Sequence, residues 1–323
     1  MPSRGQARDG SGGRSGFRAD SGRDRLKAGR VTFPLLCSGL LLLFLAIPPR
    51  SASALTLAAW NLEHLNAASH VGCVPRQDAD YEAIRTHIAR LGPDLVAVQE
   101  VENKTAAARV FPAADWQVVL SSRPEVGQRA PCRERPDKRL RHQATGFAIR
   151  TGVAFRRNPD LSSLANSNPD IPWGTDITIL QGAGLRLLSV HLVSGCWGAE
   201  QDRDAERTAI CETLRLQVGA LKSWVEARQA ENIPYAILGD FNRRLALDGD
   251  WAWRVLSSAR LGLHLATAGL PTSCDPRYTA LIDHIVVSGD LVSRIVPDSL
   301  REIPRLGDHP DHCAIMLRLR LGT

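Results

Sequence analysis

Gly239-Asp240-Phe241-Asn242 directly follows the apolar run Ile233–Leu238. A buried strand that stops at Gly and releases an Asp and an Asn two residues apart points both side chains the same way out of a sheet. An anionic acceptor beside a neutral amide suits holding a water next to a phosphoryl oxygen. Asp and Asn are also ordinary turn formers after a strand, so the tetrapeptide takes its meaning from its company. Trp60-Asn61-Leu62-Glu63 follows the strand-like Leu55–Ala59, and Gln99-Glu100 follows Asp94–Val98. His191 lies within Leu185–Val193, Ile282-Asp283-His284 opens Ile285–Val287, and Asp311-His312 precedes the alternating run Ile315–Leu321. Each places a polar group where an apolar strand reaches the rim of a sheet.

The elements that must carry these residues read as strands and helices mixed along the chain. Besides the segments above, strands are expected at Trp116–Leu120, Gly146–Ile149, Val153–Arg156 and Ile177–Leu180. Tyr81, Ile84, Ile88 and Leu91 have helical spacing over Asp80–Leu91. Ile210, Leu214, Val218, Leu221 and Val225 have it over Ala205–Gln229. Arg123–Gln143 and Asn158–Gly174 are rich in Pro, Arg, Asn and Asp and read as loops; a long loop beside a site often carries substrate selection. The expected architecture is α/β, a two-sheet β-sandwich flanked by helices in four α/β/β/α layers.

With these motifs, in this order from about Leu55 to Leu321, the chain resembles the endonuclease/exonuclease/phosphatase superfamily. That is the fold of pancreatic deoxyribonuclease, abasic-site endonucleases, bacterial sphingomyelinases and inositol polyphosphate phosphatases. The resemblance implies a metal-dependent phosphoric ester hydrolase. Glu100, with Asn61, Glu63 and Asp311, falls on metal-binding positions, for Mg²⁺ or alternatively Mn²⁺. Carboxylate and amide oxygens with water suit Mg²⁺, which keeps several waters and takes one or two carboxylates. Asp240 matches the residue that orients the attacking water, and Asn242 the one that contacts the transition-state phosphoryl oxygens. His312 matches a general base or phosphate-stabilising imidazole, its other nitrogen held by Asp283. His191 matches a second histidine of the deoxyribonuclease and sphingomyelinase branches, and Val190-His191 departs from the abasic-site branch.

Gly307–His312 contains two Asp-His pairs. Asp311-His312 is the pair adopted here because His312 precedes the final strand; Asp308 and His309 read as loop. The resemblance does not fix the substrate. A nuclease is the first reading, with the partner a nucleic acid. A sphingomyelinase-like or other phospholipid or sugar phosphohydrolase is the second; a sphingomyelinase would want exposed aromatics, for which Trp251 and Trp253 are the candidates. A catalytically inert binding module is the third. Arg141, His142, Arg203 and Arg207 are further candidates for phosphate contact, and nothing in the sequence singles one out.

Ahead of this domain, residues 1–30 are Gly-, Ser- and Arg-rich and read as disordered. The 17-residue apolar run Val31–Ile47 follows, then Ala52-Ser53-Ala54. Basic region, apolar core and small-residue site describe a secretory signal cleaved after Ala54. The expected division is therefore a leader at 1–54 and one enzyme domain at 55–323, exported as a monomer to the periplasm or medium without a stable membrane span. The leader holds nine of the 40 basic and three of the 34 acidic residues, leaving 31 of each. A near-neutral mature chain lacks the broad positive field of a protein that coats nucleic acid. Of seven cysteines, Cys37 leaves with the leader and six remain. An even number in an exported protein favours disulfides, with Cys196–Cys211 the preferred pair because both flank one polar loop. Cys313 reads equally as a buried free thiol.

Overall fold

The computed structural model describes residues 54–125, 130–166, 168, 170–197, 205–275, 277–308 and 310–321. The leader assigned above, apart from Ala54, lies outside them, as do Arg203 and His309. The side chain of Arg207 is likewise outside.

Among the described residues, twelve strands form two six-stranded sheets. The first holds β1 (Ala54–Leu65), β2 (Leu95–Val101), β3 (Trp116–Leu120), β4 (Ala144–Arg150), β11 (Arg301–Glu302) and β12 (Ile315–Arg320), in the order β11-β12-β1-β2-β4-β3. The second holds β5 (Phe155–Arg157), β6 (Thr175–Ile179), β7 (Leu185–His191), β8 (Tyr235–Asp240), β9 (Leu263–Leu265) and β10 (Asp283–Ser288), ordered β5-β6-β7-β8-β10-β9. Both sheets are mixed: β1 runs parallel to β2 and β7 parallel to β8, while β10 opposes β8 and β12 opposes β1.

Strand periodicity builds the layers. Leu55, Leu57 and Ala59 of β1 and Leu95 and Ala97 of β2 face the second sheet. They meet Leu187 of β7, Ala236 and Leu238 of β8, and Ile285 and Val287 of β10 in one buried core. The alternate residues face outward. Ala58, Trp60, Val96 and Val98 pack under α1 (Asp78–Leu91) and α2 (Lys104–Val110), whose apolar faces include Tyr81, Ile84, Ile88 and Val110. Leu188, Val190 and Ile237 pack under α3 (Ala205–Glu231) and α4 (Trp251–Leu256) through Leu214, Val218, Leu221 and Leu256. The expected four-layer α/β/β/α sandwich is thus what the chain forms. A further one-turn helix, α5 (Gly289–Val292), follows β10.

Several local expectations need correction. Trp251 and Trp253 sit in α4, which Asp250 caps by accepting from the Trp253 amide at 2.8 Å, and both pack partly buried against the outer core of the second sheet. They are not an exposed membrane hairpin. Cys313 is not a free thiol: it is joined to Cys274, alongside Cys73–Cys132 and the anticipated Cys196–Cys211. Among the described residues no helix is long and apolar enough to cross a membrane.

Candidate active site

The inward parity of the core strands continues to their ends and fixes which side chains reach the rim between the sheets. Asn61 extends the series Leu55, Leu57, Ala59, and Gln99 extends Leu95, Ala97. His191 extends Leu185, Leu187, Ser189, Asp240 extends Ala236, Leu238, and Asp283 opens the series Ile285, Val287. Register aligns them: His191 is the strand neighbour of Asp240, Asp240 of Asp283, and Asn61 of Gln99. Directly opposed strand residues bring their Cβ atoms to about 5 Å. One row of polar groups therefore crosses each sheet at the same level. Gln99 bridges them, donating to Ser189 Oγ across the sandwich at 3.0 Å.

Gly239 lets this row form. Its φ is +138°, and a Cβ there would lie 2.2 Å from the Val190 carbonyl oxygen and 2.9 Å from Gln99 Nε2. Only a residue without a side chain lets β7 and β8 approach so closely while turning Asp240 toward the rim.

Asp240 is the centre. It is 1 % exposed, yet its Oδ2 accepts from Asn61 Nδ2 and from Asn242 Nδ2, each at 3.1 Å. Its Oδ1 accepts from the Asn242 amide at 2.7 Å. The Nε2 atoms of His191 and His312 stand 3.6 and 3.8 Å from Oδ2. The other side-chain N–H of Asn242 goes to the Leu192 carbonyl at 3.0 Å, so Asn242 gives one side-chain donor and its backbone N–H to Asp240 and is itself anchored by the second side-chain donor.

His312 lies in the loop before β12 and is fixed from several directions. Its Nδ1 meets Asp283 Oδ2 at 2.7 Å, Trp60 donates its indole N–H to the His312 carbonyl at 2.9 Å, and Cys313 next to it is disulfide-bonded. Burial alone would favour the neutral ring, but the carboxylates of Asp283 and Asp240 outweigh it and raise His312 well above the usual histidine range. Asp311 is half-exposed, its Oδ1 3.9 Å from His312 Nε2, and its amide donates to Glu63 Oε2 at 3.0 Å.

Glu100 has φ +61°, one of a few left-handed non-glycine residues, and the flip turns its carboxylate back toward Asn61. Its Oε1 accepts from Asn61 Nδ2 at 3.1 Å and lies 3.8 Å from His191 Nε2. Its Oε2 accepts from the His64 amide at 2.9 Å and from Gln143 Nε2 at 2.6 Å. Burial pushes this carboxyl up, but His191, His64, the Asn61 bond and His312 together bring it down to about 2. Glu63 is placed differently. Its Oε2 lies 3.5 Å from Arg76 and takes the Asp311 amide, so it joins the cluster through Asp311.

The donor set fits a hard divalent cation. A carboxylate held ionised, with the carboxylates of Asp240 and Asp283 on the same rim, is the chemistry such ions prefer; Asn61 here turns its Nδ2 to Glu100 and Asp240 while its Oδ1 accepts from the Glu63 amide at 2.9 Å. Ligand atoms of Asp240, Asp283 and His312 also fall within 4.8 Å of one another. A protonated His312 is a donor there and a poor ligand, which leaves Glu100 with Asn61 as the better-suited position.

Three contributors carry no sequence signal. Arg76, 1 % exposed, donates to the carbonyls of Leu62, Glu63 and His64, bracing the left-handed turn at Glu63-His64. Gln143 reaches Glu100 from a stretch that reads as loop, and His64 supports the same carboxylate. Gln99 alone was legible, by its parity with Leu95 and Ala97.

Comparison with known proteins places the fold and the family. Among solved structures, the AP endonuclease LMAP from Leishmania major is similar at 14 % identity and TM-score 0.57, covering 83 % of this chain and 88 % of its own. Truncated Caenorhabditis elegans TDP2 is 16 % identical with TM-score 0.56, covering 83 % and 98 %. The 3'-5' exonuclease NExo from Neisseria meningitidis is 16 % identical with TM-score 0.56, covering 82 % and 99 %. At these identities the likeness is one of fold. No curated protein sequence matches the chain. The sequence pattern of the Endonuclease/Exonuclease/phosphatase family matches residues 58–309, most of the chain, and the protein belongs to that family as a metal-dependent phosphoric ester hydrolase.

Proposed function

We propose that the protein is an exported, Mg²⁺-dependent phosphodiesterase that hydrolyses nucleic acid by in-line attack of water. The observation that carries this is Asp240: a carboxylate buried at the strand ends, oriented by two amides, with two imidazoles within 4 Å of one oxygen. Bound at Glu100 and Asn61, a divalent ion would neutralise phosphoryl oxygens and lower the charge barrier to attack. Glu63 and Asp311 extend that acidic edge, and Mn²⁺ is the alternative ion. Asp240 accepts a proton from the attacking water and aims its lone pair. His312, held charged by Asp283, donates from Nε2 to a phosphoryl oxygen where negative charge grows. His191 contacts the phosphate on the opposite side or hands its Nε2 proton to the leaving oxygen. Asn242 keeps Asp240 aligned and meets the phosphoryl oxygens only if it releases one of its two present acceptors.

Export is supported by the apolar leader and by three disulfides, which persist in oxidising compartments. Nucleic acid is preferred as substrate because the solved structures of similar fold include an AP endonuclease and a 3'-5' exonuclease.

The test incubates the purified mature protein with plasmid DNA, RNA, sphingomyelin and bis(p-nitrophenyl) phosphate, with and without EDTA. Cleavage of nucleic acid that EDTA stops, and that Asp240→Asn reduces by ~10²-fold or more in kcat with KM little changed, is the expected result. Turnover of sphingomyelin without nucleic acid cleavage would move the protein to the lipid-acting branch, and full activity in EDTA would remove the metal.

A further inference from the structure

Residues 130–143 form a structured arm beside the site, where the sequence suggests only loop. Pro131 bridges Arg139 in antiparallel pairing, the Cys132 amide donates to the Lys138 carbonyl at 3.0 Å, and the Leu140 amide to the Ala130 carbonyl at 2.9 Å. The result is a short hairpin whose tip lies between Arg135 and Lys138. The Cys73–Cys132 disulfide staples it to the loop before α1. Its base is buried. Arg141 places Nε 2.7 Å from Glu102 Oε1, Arg123 donates to the Gln143 carbonyl at 2.8 Å, and Gln143 holds Glu100 at 2.6 Å.

The tip is the opposite. Arg133, Arg135 and Arg139 are exposed and have no acidic partner among the described residues, while Lys138 lies near Asp137 and Arg141 is paired to Glu102. Three free guanidinium groups thus face one unpaired acid of the arm, Glu134. In a mature chain with equal numbers of acids and bases, this is a local concentration of positive charge. Arg139 is four residues from Gln143, at most about 14 Å of chain from the group that touches Glu100. That reach corresponds to about four nucleotides of a B-form strand at about 3.4 Å each.

We propose that this stapled hairpin is a docking ridge for the phosphate backbone of the nucleic-acid substrate, with Arg133, Arg135 and Arg139 contacting phosphates that flank the scissile one. The inference rests on the nucleic-acid reading given above. Guanidinium forks suit phosphate oxygens, and a rigid arm keeps them directed at the backbone instead of folding them onto nearby acids. An anionic membrane is the poorer partner. None of the exposed large apolar side chains lies in this arm, so it has nothing to insert below the headgroups.

The experiment replaces the three arginines together, R133A/R135A/R139A, and separately by lysine, in the mature protein. Binding to duplex DNA is measured in EDTA across a salt series, and hydrolysis of bis(p-nitrophenyl) phosphate with metal present. The alanine variant should keep its rate on the small ester and its thermal transition. Its log K against log salt should flatten by about 2 to 3, since each phosphate contact contributes about 0.9 to the slope. The lysine variant should retain most of the slope, because the charge is kept.

An alanine variant with the parent's slope and affinity overturns the ridge and leaves the nuclease reading standing. A parent that hydrolyses the small ester but neither binds nor cleaves DNA or RNA overturns both. If phosphatidylserine vesicles lose affinity for the alanine variant while DNA does not, the arm serves a membrane and the proposal is wrong.

Discussion

Asp283→Asn separates charge from shape at His312, the imidazole proposed to meet the phosphate. The amide occupies the same volume, and its oxygen can still accept from His312 Nδ1, where the carboxylate now sits at 2.7 Å. What disappears is the charge that favours the imidazolium. A hydrogen bond to a charged group contributes ~1.5–3 kcal/mol, and at ~1.36 kcal/mol per pH unit this is about one to two units of His312 basicity. Asp240 remains and keeps part of the elevation. The direction of the consequence depends on what His312 does. If it stabilises phosphate as a cation, activity falls as pH rises through its raised value, and the variant's alkaline limb moves down by about one to two units. On the alkaline side of the parent's limb, the rate should then drop by ~10–100-fold, about a tenfold loss per pH unit, with a small change in KM. If His312 acted as a neutral base, a lower value would instead extend activity toward acid. The assay is the pH profile of kcat/KM on a small phosphodiester, paired with direct titration of the His312 ring by NMR. A ring that titrates as in the parent, or an alkaline limb that stays put, refutes the claim that Asp283 holds the charge.

Two further perturbations read the scaffold. Gly239→Ala would drive a Cβ to 2.2 Å from the Val190 carbonyl at a φ that L-residues rarely adopt. Strain and overpacking together should cost about 3 kcal/mol or more, lowering Tm by roughly 6–12 °C for a domain of this size, a loss that scanning calorimetry would read. His284 is fully buried, its Nδ1 2.7 Å from Thr267 Oγ1 and its Nε2 3.0 Å from the Arg243 carbonyl, and burial lowers it from 6.5 to about 4. The unfolded chain binds the proton more readily, so this stability is complete above pH 6.5 and is lost as pH falls toward 4, by about 3 kcal/mol. Urea denaturation at both ends of that window should show the loss, and His284→Gln should show a shallower slope.

The sequence disclosed what depends on period and missed what depends on contact. Leu55–Ala59, Tyr235–Leu238 and Ile285–Val287 alternate or run apolar, so their strand character and rim residues were legible. β1 continues to Leu65 because Leu62 and Leu65 are buried beyond the polar Asn61, where composition suggests the strand should end. α2 has seven residues and too little periodicity to register, although Asn103 caps it by accepting from the Ala106 amide at 3.0 Å. β9 and β11 are two or three residues long and exist only through their partners. Asp283 and His312 could be paired from motif order, whereas Arg76 and Gln143 look like any surface polar residue until the fold wraps carbonyls or a carboxylate around them. Cys313 was ambiguous for the same reason: its partner lies 39 residues away in a segment without regular structure.

The parity that brings His191, Asp240 and Asp283 into one row makes the enzyme tolerant of spelling and intolerant of counting. Ile237 faces the helices and Leu238 faces the other sheet, one position apart. A single residue inserted between Leu238 and Asp240 would turn the carboxylate out toward α3 and send its neighbour into the cleft, with every side chain chemically intact. Two residues would restore the facing but lift the group roughly 7 Å along the strand, past its register with His191 and Asp283. Added residues are therefore tolerable only in the connections beyond the rim, such as the stretch that carries the stapled hairpin, where the chain can change what it grips without moving the row.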